Sequence, residues 1–482
     1  MGDVLHIAQG GLRGREDGGI TAYLGVPYAR APFGPLRFAA PEPAGPWDGV
    51  RDATEFGPTA PKDDYIPMYV PLFPEVTIEG DDCLNLNIWT PGGDGLPVLV
   101  WIHGGAFTNG SNSVPEYDGT AFARDGVVFV GVNYRLGGEG FAYLEGAPAN
   151  RGLLDQIAAL RWVRENIAAF GGDPEQVTVA GESAGAWCVQ TLLAMPQAKG
   201  LFQRAIAQSG GAQHVLTPEA GRLVAADLAA RLGVPPTRDA FAELPPAAVA
   251  AAVRAVVEEV QMAPDPAKWG ELALSAQPFA PTVDGEVLRV PPLGASDPDV
   301  PLLTGTTAEE ARLILVASGA IGVIDEATLR ASAAAYGLDA DPAIAVYRAS
   351  RPDARPGDLL SAIVSDWYFR IPAVRSAEAR GRNTWLYRFE WASPSLGSGH
   401  GVDVPFAFDT LGAPGVGPRL GEDPPQDVAD VFHSVWVGFA TTGDPGWGPY
   451  DSDTRTVGLI GDVITPAADP AGSERVLWEG RR

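Results

Sequence analysis

Apolar positions divide the chain into a short N-terminal part of alternating runs and a long remainder where unbroken apolar runs interleave with helical periodicity. Residues 4–30 alternate short apolar runs with glycine turns at Gly10-Gly11 and Asp17-Gly18-Gly19, which predicts an antiparallel strand meander. Residues 31–82 are rich in Pro and Gly and predict long surface loops. From residue 84 the pattern changes. Residues 84–89 predict a strand, and residues 97–102 and 126–134 are unbroken apolar runs, as in strands covered on both faces. Leu153, Ile157, Leu160, Val163, Ile167 and Phe170 recur every three or four positions, which predicts an amphipathic helix stopped by Gly171-Gly172-Asp173-Pro174. A strand at Val177-Thr178-Val179-Ala180, a helix over 187–195, and strands at 204–208 and near 300–304 follow. Residues 215–275 are Ala-rich and helical with Pro breaks, and 306–380 are again largely helical. A late strand is predicted over 384–391, and a helix over 427–441 ended by Gly443-Asp444-Pro445. Strands alternating with helices imply an α/β fold. The expectation is a large, mostly parallel sheet flanked by helices, with N-terminal antiparallel strands. With no internal repeat or low-complexity linker, one domain over 1–482 is expected, with helical insertions at about 215–275 and 306–380.

The strand at Val177 leads into Gly181-Glu182-Ser183-Ala184-Gly185, the one G-x-S-x-G in the chain, and then into a helical run. Strand, tight turn and helix are the context in which such a serine is lifted out of a sheet as a nucleophile. A Cβ at Gly181 or Gly185 would collide across the turn, and the Ala184 N–H at the helix start is free to donate. An ordinary Gly-rich turn has the same pattern, so the rest of the machinery has to be sought.

Serine is a poor nucleophile at neutral pH and needs a base, itself oriented by an acid. In a strand–elbow–helix fold the chain order is serine, acid, histidine. That order excludes His6 and His103, and His214 follows Ser183 too soon for an intervening acid loop. Of the remaining two, His433 falls inside the 427–441 helix beside Phe432 and reads as structural, whereas His400 lies in the flexible run Gly397-Ser398-Gly399-His400-Gly401. Glu309 and Glu310 follow a strand end in Thr304-Gly305-Thr306-Thr307-Ala308-Glu309-Glu310, and Asp284 is a third candidate; spacing does not choose among them. Trp101-Ile102-His103-Gly104-Gly105-Ala106-Phe107 is a strand followed by a glycine turn. The Gly105, Ala106 and Ala184 amides are therefore candidates for stabilising an oxyanion.

Composition narrows the classes. The 482 residues are 46% hydrophobic and 20% charged, as in a globular protein, and the formal net charge of −26 argues against nucleic acid or anionic membrane as partners. Only Lys62, Lys199 and Lys268 are lysines; the Ala, Gly, Pro and Arg usage suggests a GC-rich bacterial genome. Cys83 and Cys188 are too few for a disulfide framework and are expected to be reduced, Cys188 as a small core residue behind Ser183. Met1-Gly2-Asp3-Val4-Leu5-His6 does not read as a secretory leader, and no apolar stretch is long enough to span a membrane, so a cytoplasmic location is expected. Nothing calls for a metal or cofactor.

Gly25-Val26-Pro27-Tyr28-Ala29, Asp82-Cys83-Leu84-Asn85-Leu86-Asn87, His103-Gly104-Gly105-Ala106-Phe107, Asn133-Tyr134-Arg135, Gly152-Leu153-Leu154-Asp155-Gln156, Phe170-Gly171-Gly172-Asp173-Pro174, Gly181-Glu182-Ser183-Ala184-Gly185 and Gln208-Ser209-Gly210 together carry a specific likeness. On them the chain resembles the type-B carboxylesterases, the family that includes bacterial para-nitrobenzyl esterases and the cholinesterases. It implies the α/β-hydrolase fold and a serine esterase acting through an acyl-enzyme on small to medium carboxylic esters, with short-chain acyl or aromatic groups. Thioesterase, lactonase or amidase action on the same groups is the alternative, and a non-catalytic interaction protein a more distant one. The resemblance implies Glu310 as the acid, with Glu309 where relatives often have Asp, and His400 as the base. His400-Gly401-Val402-Asp403-Val404-Pro405-Phe406 stands where relatives have His-x-x-Glu-Leu-Pro-Phe, so Asp403 is a departure, as is Ala311 where many have Gly. Secreted relatives pair a cysteine at the Cys83 position with one upstream, and none is present here. Glu182 and Ser209 match positions close to the triad, and Phe107 and Trp187 are candidate pocket walls. A small-molecule ester is the expected partner, and the protein is expected to be a monomer or weak homo-oligomer. Activity is expected to rise through a histidine pKa of about 6–7.

Overall fold

The computed structural model describes residues 4–481; Met1, Gly2 and Asp3, on which part of the no-leader expectation falls, and Arg482 lie outside the described residues. Fourteen strands form among the described residues. In chain order they are β1 (Val4–Ile7), β2 (Gly10–Arg13), β3 (Arg15–Asp17), β4 (Ile20–Pro27), β5 (Val50–Asp52), β6 (Asn85–Thr90), β7 (Leu96–Ile102), β8 (Val128–Val132), β9 (Gly172–Glu182), β10 (Arg204–Gln208), β11 (Leu302–Thr307), β12 (Thr384–Phe389), β13 (Thr456–Ile460) and β14 (Ile464–Ala468). Eleven build one sheet in the order β14-β13-β12-β11-β10-β9-β7-β8-β6-β4-β3. The run from β13 to β8 is parallel, and antiparallel pairs close both ends. The predicted N-terminal meander is split. β3 and β4 join the large sheet, while β1 and β2 form a separate three-stranded sheet with β5.

The central strands are buried on both faces, and their period of two sorts the side chains between two cores. Val98, Val100 and Ile102 of β7 pack into one cluster with Leu153, Ile157, Leu160 and Val163 of the helix Arg151–Asn166. Leu99 and Trp101 pack into the other with Phe432, Trp436 and Phe439 of the helix Gln426–Thr442. Each fully buried aliphatic side chain contributes about 1.5–3 kcal/mol, so the two helices hold the middle of the sheet firmly. Chain reversals after the parallel strands then bring their C-terminal ends to one side, where the site forms.

Two expectations are corrected. β9 begins at Gly172, inside the stretch expected only to end the preceding helix. Residues 31–82 are irregular apart from β5 and a short turn of helix, and not merely superficial: Phe38 is fully buried, and Tyr65, Met68, Tyr69 and Phe73 form a wall of the cavity beside Ser183. The connection between β10 and β11 carries helices such as Pro218–Leu232 and Pro246–Met262, and that between β11 and β12 runs through Glu326–Ala335, Ala340–Ser350, Pro356–Ser365 and Ile371–Arg380.

Candidate active site

Ser183 sits between the end of β9 and the helix Ala184–Leu192, with φ 54° and ψ −120°. A non-glycine residue there is strained by ~1–3 kcal/mol and persists because the surroundings over-determine it. The surroundings are close. A Cβ on Gly181 would lie 2.5 Å from the Gly185 carbonyl carbon, and one on Gly185 2.0 Å from the Ile102 oxygen. The Ser183 N–H donates to the Gln208 carbonyl at 2.9 Å, and its own carbonyl accepts from Trp187 N–H at 3.0 Å. Cys188 lies on this helix, fully buried, and accepts from Gln156 Nε2 at 3.2 Å.

His400 and Glu310 come from loops after β12 and β11. Glu310 is 1% exposed, and both its oxygens are engaged: Oε1 accepts from Ser209 Oγ at 2.6 Å and from Thr307 N–H at 2.8 Å, and Oε2 lies 2.6 Å from His400 Nδ1. The two loops are stitched by backbone bonds, His400 N–H to the Glu310 carbonyl (3.1 Å) and Glu309 N–H to the Ser398 carbonyl (2.9 Å). Ser398 Oγ accepts from Ala308 N–H at 3.2 Å. The Phe369 ring lies 4.8 Å from the imidazole, centroid to centroid. On its other side, His400 Nε2 is 3.1 Å from Glu182 Oε1, out of line for a hydrogen bond. Burial alone would lower the imidazole's pKa; Glu182, Glu310 and Asp403 outweigh it and raise it to about 9, above the 6–7 expected from an isolated histidine. Burial pushes Glu182 up to about 7, and burial followed by the charges of Glu310 and Glu182 pushes Asp403 up to about 8. Neither Asp403 oxygen has a hydrogen-bond partner in line.

The rejected candidates have other partners. His433 Nδ1 is 2.7 Å from the Ala407 carbonyl and Nε2 3.1 Å from Asp125. Asp284 caps a turn, accepting from Leu288 N–H at 2.8 Å and Val287 N–H at 3.1 Å. Glu309 accepts from Ser398 N–H at 3.2 Å. His103 is buried and held neutral, its pKa lowered by burial to about 3, with Nδ1 2.7 Å from the Gly104 carbonyl. The Asn133-Tyr134-Arg135 run supports the same turn. Tyr134 donates to the His103 carbonyl at 2.8 Å, and Arg135 grips Asp155 through two nitrogens at 2.7 and 2.8 Å.

Ser183, His400, Glu182, Gly105, Ala106 and Trp187 all line one cavity of about 290 Å³. Ala184 is fully buried at the helix start beneath it. Aliphatic and aromatic side chains make up most of the rest of the wall, with Leu313, Ile314 and Leu360 beside Tyr65, Tyr69 and Phe73. Glu182 and His400 are the only titratable acid or base among the described lining residues apart from tyrosines. Phe107 is not part of this surface. The turn at φ 63° carries its ring into the core, against Phe141 (4.8 Å) and stacked behind Trp187 (5.8 Å). Tyr65, Tyr69 and Phe73 have a legible signal in their spacing of four, whereas Gln277, which also lines this cavity, has none in the sequence.

A sequence profile of the carboxylesterase family matches residues 2–457. The chain belongs to the carboxylesterase family. It is 37% identical to a para-nitrobenzyl esterase of Bacillus subtilis over 492 aligned positions, covering 97% of this chain and 96% of that one. It is 34% identical to a phenmedipham hydrolase of Pseudarthrobacter oxydans, covering 95% of each. A solved carboxylesterase of Geobacillus stearothermophilus superposes with a TM-score of 0.86 at 35% identity, over 98% of this chain and 99% of that one. The large sheet flanked by helices is thus the α/β-hydrolase fold, and the chain is a carboxylic ester hydrolase of the serine-esterase type. Among the described residues no helix is long and apolar enough to cross a membrane, and no group of three His, Cys, Asp or Glu could hold a metal ion.

Proposed function

We propose that Ser183 is the acylated nucleophile, His400 its base and Glu310 the group that orients the base, and that the preferred substrates are small to medium uncharged esters with apolar or aromatic substituents. The observation that carries the reading is the 2.6 Å contact between His400 Nδ1 and Glu310 Oε2 beside the cavity that Ser183 lines. That contact fixes the imidazole with a proton on Nδ1, which leaves Nε2 to take the proton from Ser183 Oγ. Oγ attacks the ester carbonyl, and the oxyanion is met by the Gly105, Ala106 and Ala184 amides. Collapse expels the alcohol with the proton from His400. Water, deprotonated by the same nitrogen, then releases the acid and frees Ser183. Glu310 holds the imidazolium, while Ser209 and Thr307 hold Glu310. The mixed aliphatic and aromatic wall and the near absence of charge support the substrate class.

The test is a set of paired variants assayed on a chromogenic acyl ester. Ser183→Ala and His400→Ala abolish turnover, while His433→Ala keeps it. Glu310→Gln loses most of it, while Asp284→Asn does not. Retained rate in Glu310→Gln with loss in Asp284→Asn would overturn the assignment of the acid. Ester panels varied separately in acyl and alcohol size read the substrate range. We further read the chain as a bacterial cytoplasmic enzyme, one domain, monomeric or weakly self-associating; the two buried free thiols, Cys83 and Cys188, support a reducing compartment. Cell fractionation and sedimentation test these readings.

A further inference from the structure

We infer that Gln277 is a positioning residue that holds the oxyanion turn in its donating conformation. The inference rests on the role proposed above for the Gly105 and Ala106 amides. Two consecutive non-glycine residues of that turn, Ala106 (φ 53°) and Phe107 (φ 63°), are in the left-handed region, so the turn is strained and relaxes unless braced. Three successive carbonyls supply the bracing points. The Gly104 carbonyl is met by His103 Nδ1 at 2.7 Å. The Gly105 carbonyl accepts from Thr108 N–H at 3.0 Å and Asn109 N–H at 2.8 Å. In a trans peptide the N–H points opposite to the C=O, so these two contacts turn the Gly105 and Ala106 N–H groups the other way, towards the cavity.

The third carbonyl, of Ala106, has no such partner within the turn. It accepts from Gln277 Nε2 at 2.8 Å, and the same nitrogen donates to the Phe279 carbonyl at 2.7 Å. Both acceptors are carbonyl oxygens, so only the nitrogen end of the amide fits there, and both its hydrogens are committed. Gln277 is 7% exposed and belongs to the cavity wall, on a segment 171 residues away from the turn it holds. Without this donor the Ala106 carbonyl is free to rotate, and the strained turn with it, which misaligns the neighbouring amide that meets the oxyanion.

The experiment compares Gln277→Leu, Gln277→Glu and Gly105→Ala with the parent. The last breaks the same turn by another route, because its Cβ would lie 2.2 Å from the Asn109 oxygen. The expected result for Gln277→Leu is a fall in kcat of about 10- to 100-fold, short of the ~10²–10³ that follows outright loss of a donor. KM stays within about threefold, and affinity for an aryl trifluoromethyl ketone, which forms an oxyanion adduct with serine, falls in parallel with kcat/KM. In Gln277→Glu the carboxyl donates only while protonated, so its activity relative to the parent rises as pH is lowered. Unchanged kcat and ketone affinity in Gln277→Leu overturn the inference; if that variant does not fold, a flat pH ratio in Gln277→Glu does so. Loss of turnover in Gly105→Ala alongside unchanged Gln277→Leu sinks only the role of Gln277. Full turnover in Gly105→Ala sinks the oxyanion assignment itself.

Discussion

Replacing Glu182 by Gln tests the electrostatics of the site directly. Glu182 Oε1 is 3.1 Å from His400 Nε2, and both groups are largely shielded from solvent. At such a distance and an effective dielectric of about 20 the attraction between an ionised carboxylate and an imidazolium is about 5 kcal/mol, or about 4 pH units in the limit of point charges. Burial pushes Glu182 up to about 7, so it is ionised in the range near 9 where His400 titrates; because both charges are spread over several atoms and a Gln amide still offers its oxygen to the ring, the titration of His400 is expected to move by about 1–2 pH units. The sign follows from the role of the base. In the role proposed for it, His400 must be neutral to accept the serine proton, and its pKa is raised to about 9, so kcat/KM of the parent is expected to climb through the alkaline range. Removing the neighbouring acid disfavours the imidazolium, lowers that pKa and moves the rising limb to lower pH. The transition state carries the same imidazolium, so the plateau falls, by up to about tenfold for each pH unit that the limb moves. A pH profile of kcat/KM from 5 to about 10, taken with a substrate whose own ionisation lies outside that range, reads both effects. A limb that stays in place, or moves upward, would refute the reasoning.

Three further outcomes are expected. Asp403 has a folded-state pKa raised to about 8 by burial, so the native state holds a proton that the unfolded chain releases near 4, and stability falls as pH rises towards and through 8. In Asp403→Asn this slope disappears, and a melting-temperature series from pH 6 to about 9 falls less steeply than in the parent. Gly185→Ala places a Cβ 2.0 Å from a backbone oxygen of β7 and loses both activity and about 2–4 kcal/mol of stability in denaturant titration. Trp187→Leu shortens a cavity wall that is backed by the stacked Phe107 ring, and raises kcat/KM for bulky esters relative to acetates in a panel varied in acyl size.

Much of the architecture could be read from local pattern, and the exceptions have physical causes. Strands buried on both faces announce themselves as unbroken apolar runs, so β7 and β8 are legible, whereas β9 is legible only in its second half, because its first residues are polar; the elbow at Ser183 is legible because its glycines answer a steric demand. The hairpin of β13 and β14 was overlooked, although Gly461-Asp462 separates two runs rich in β-branched residues. Choosing among Glu309, Glu310 and Asp284 was beyond spacing, because what separates them is which carboxyl reaches across from β11 to the loop after β12. Gln277 and the environment of Asp403 were illegible for the same reason: each acquires its character from atoms far away in sequence. The raised pKa of His400 is likewise collective, arising from carboxyl groups at the end of β9 (Glu182), after β11 (Glu310) and three residues beyond the histidine itself (Asp403).

The stitching between the segments that carry Glu310 and His400 has a dynamic consequence. Joined through His400 N–H, Glu309 N–H and Ser398, the segments carrying Glu310 and His400 move together, and the neighbours Gln208 and Ser209 at the end of β10 tie them to the Ser183 turn, one by accepting from the Ser183 N–H and the other by donating to Glu310. A substitution that loosens the end of β10 is therefore expected to displace the serine and the glutamate at once.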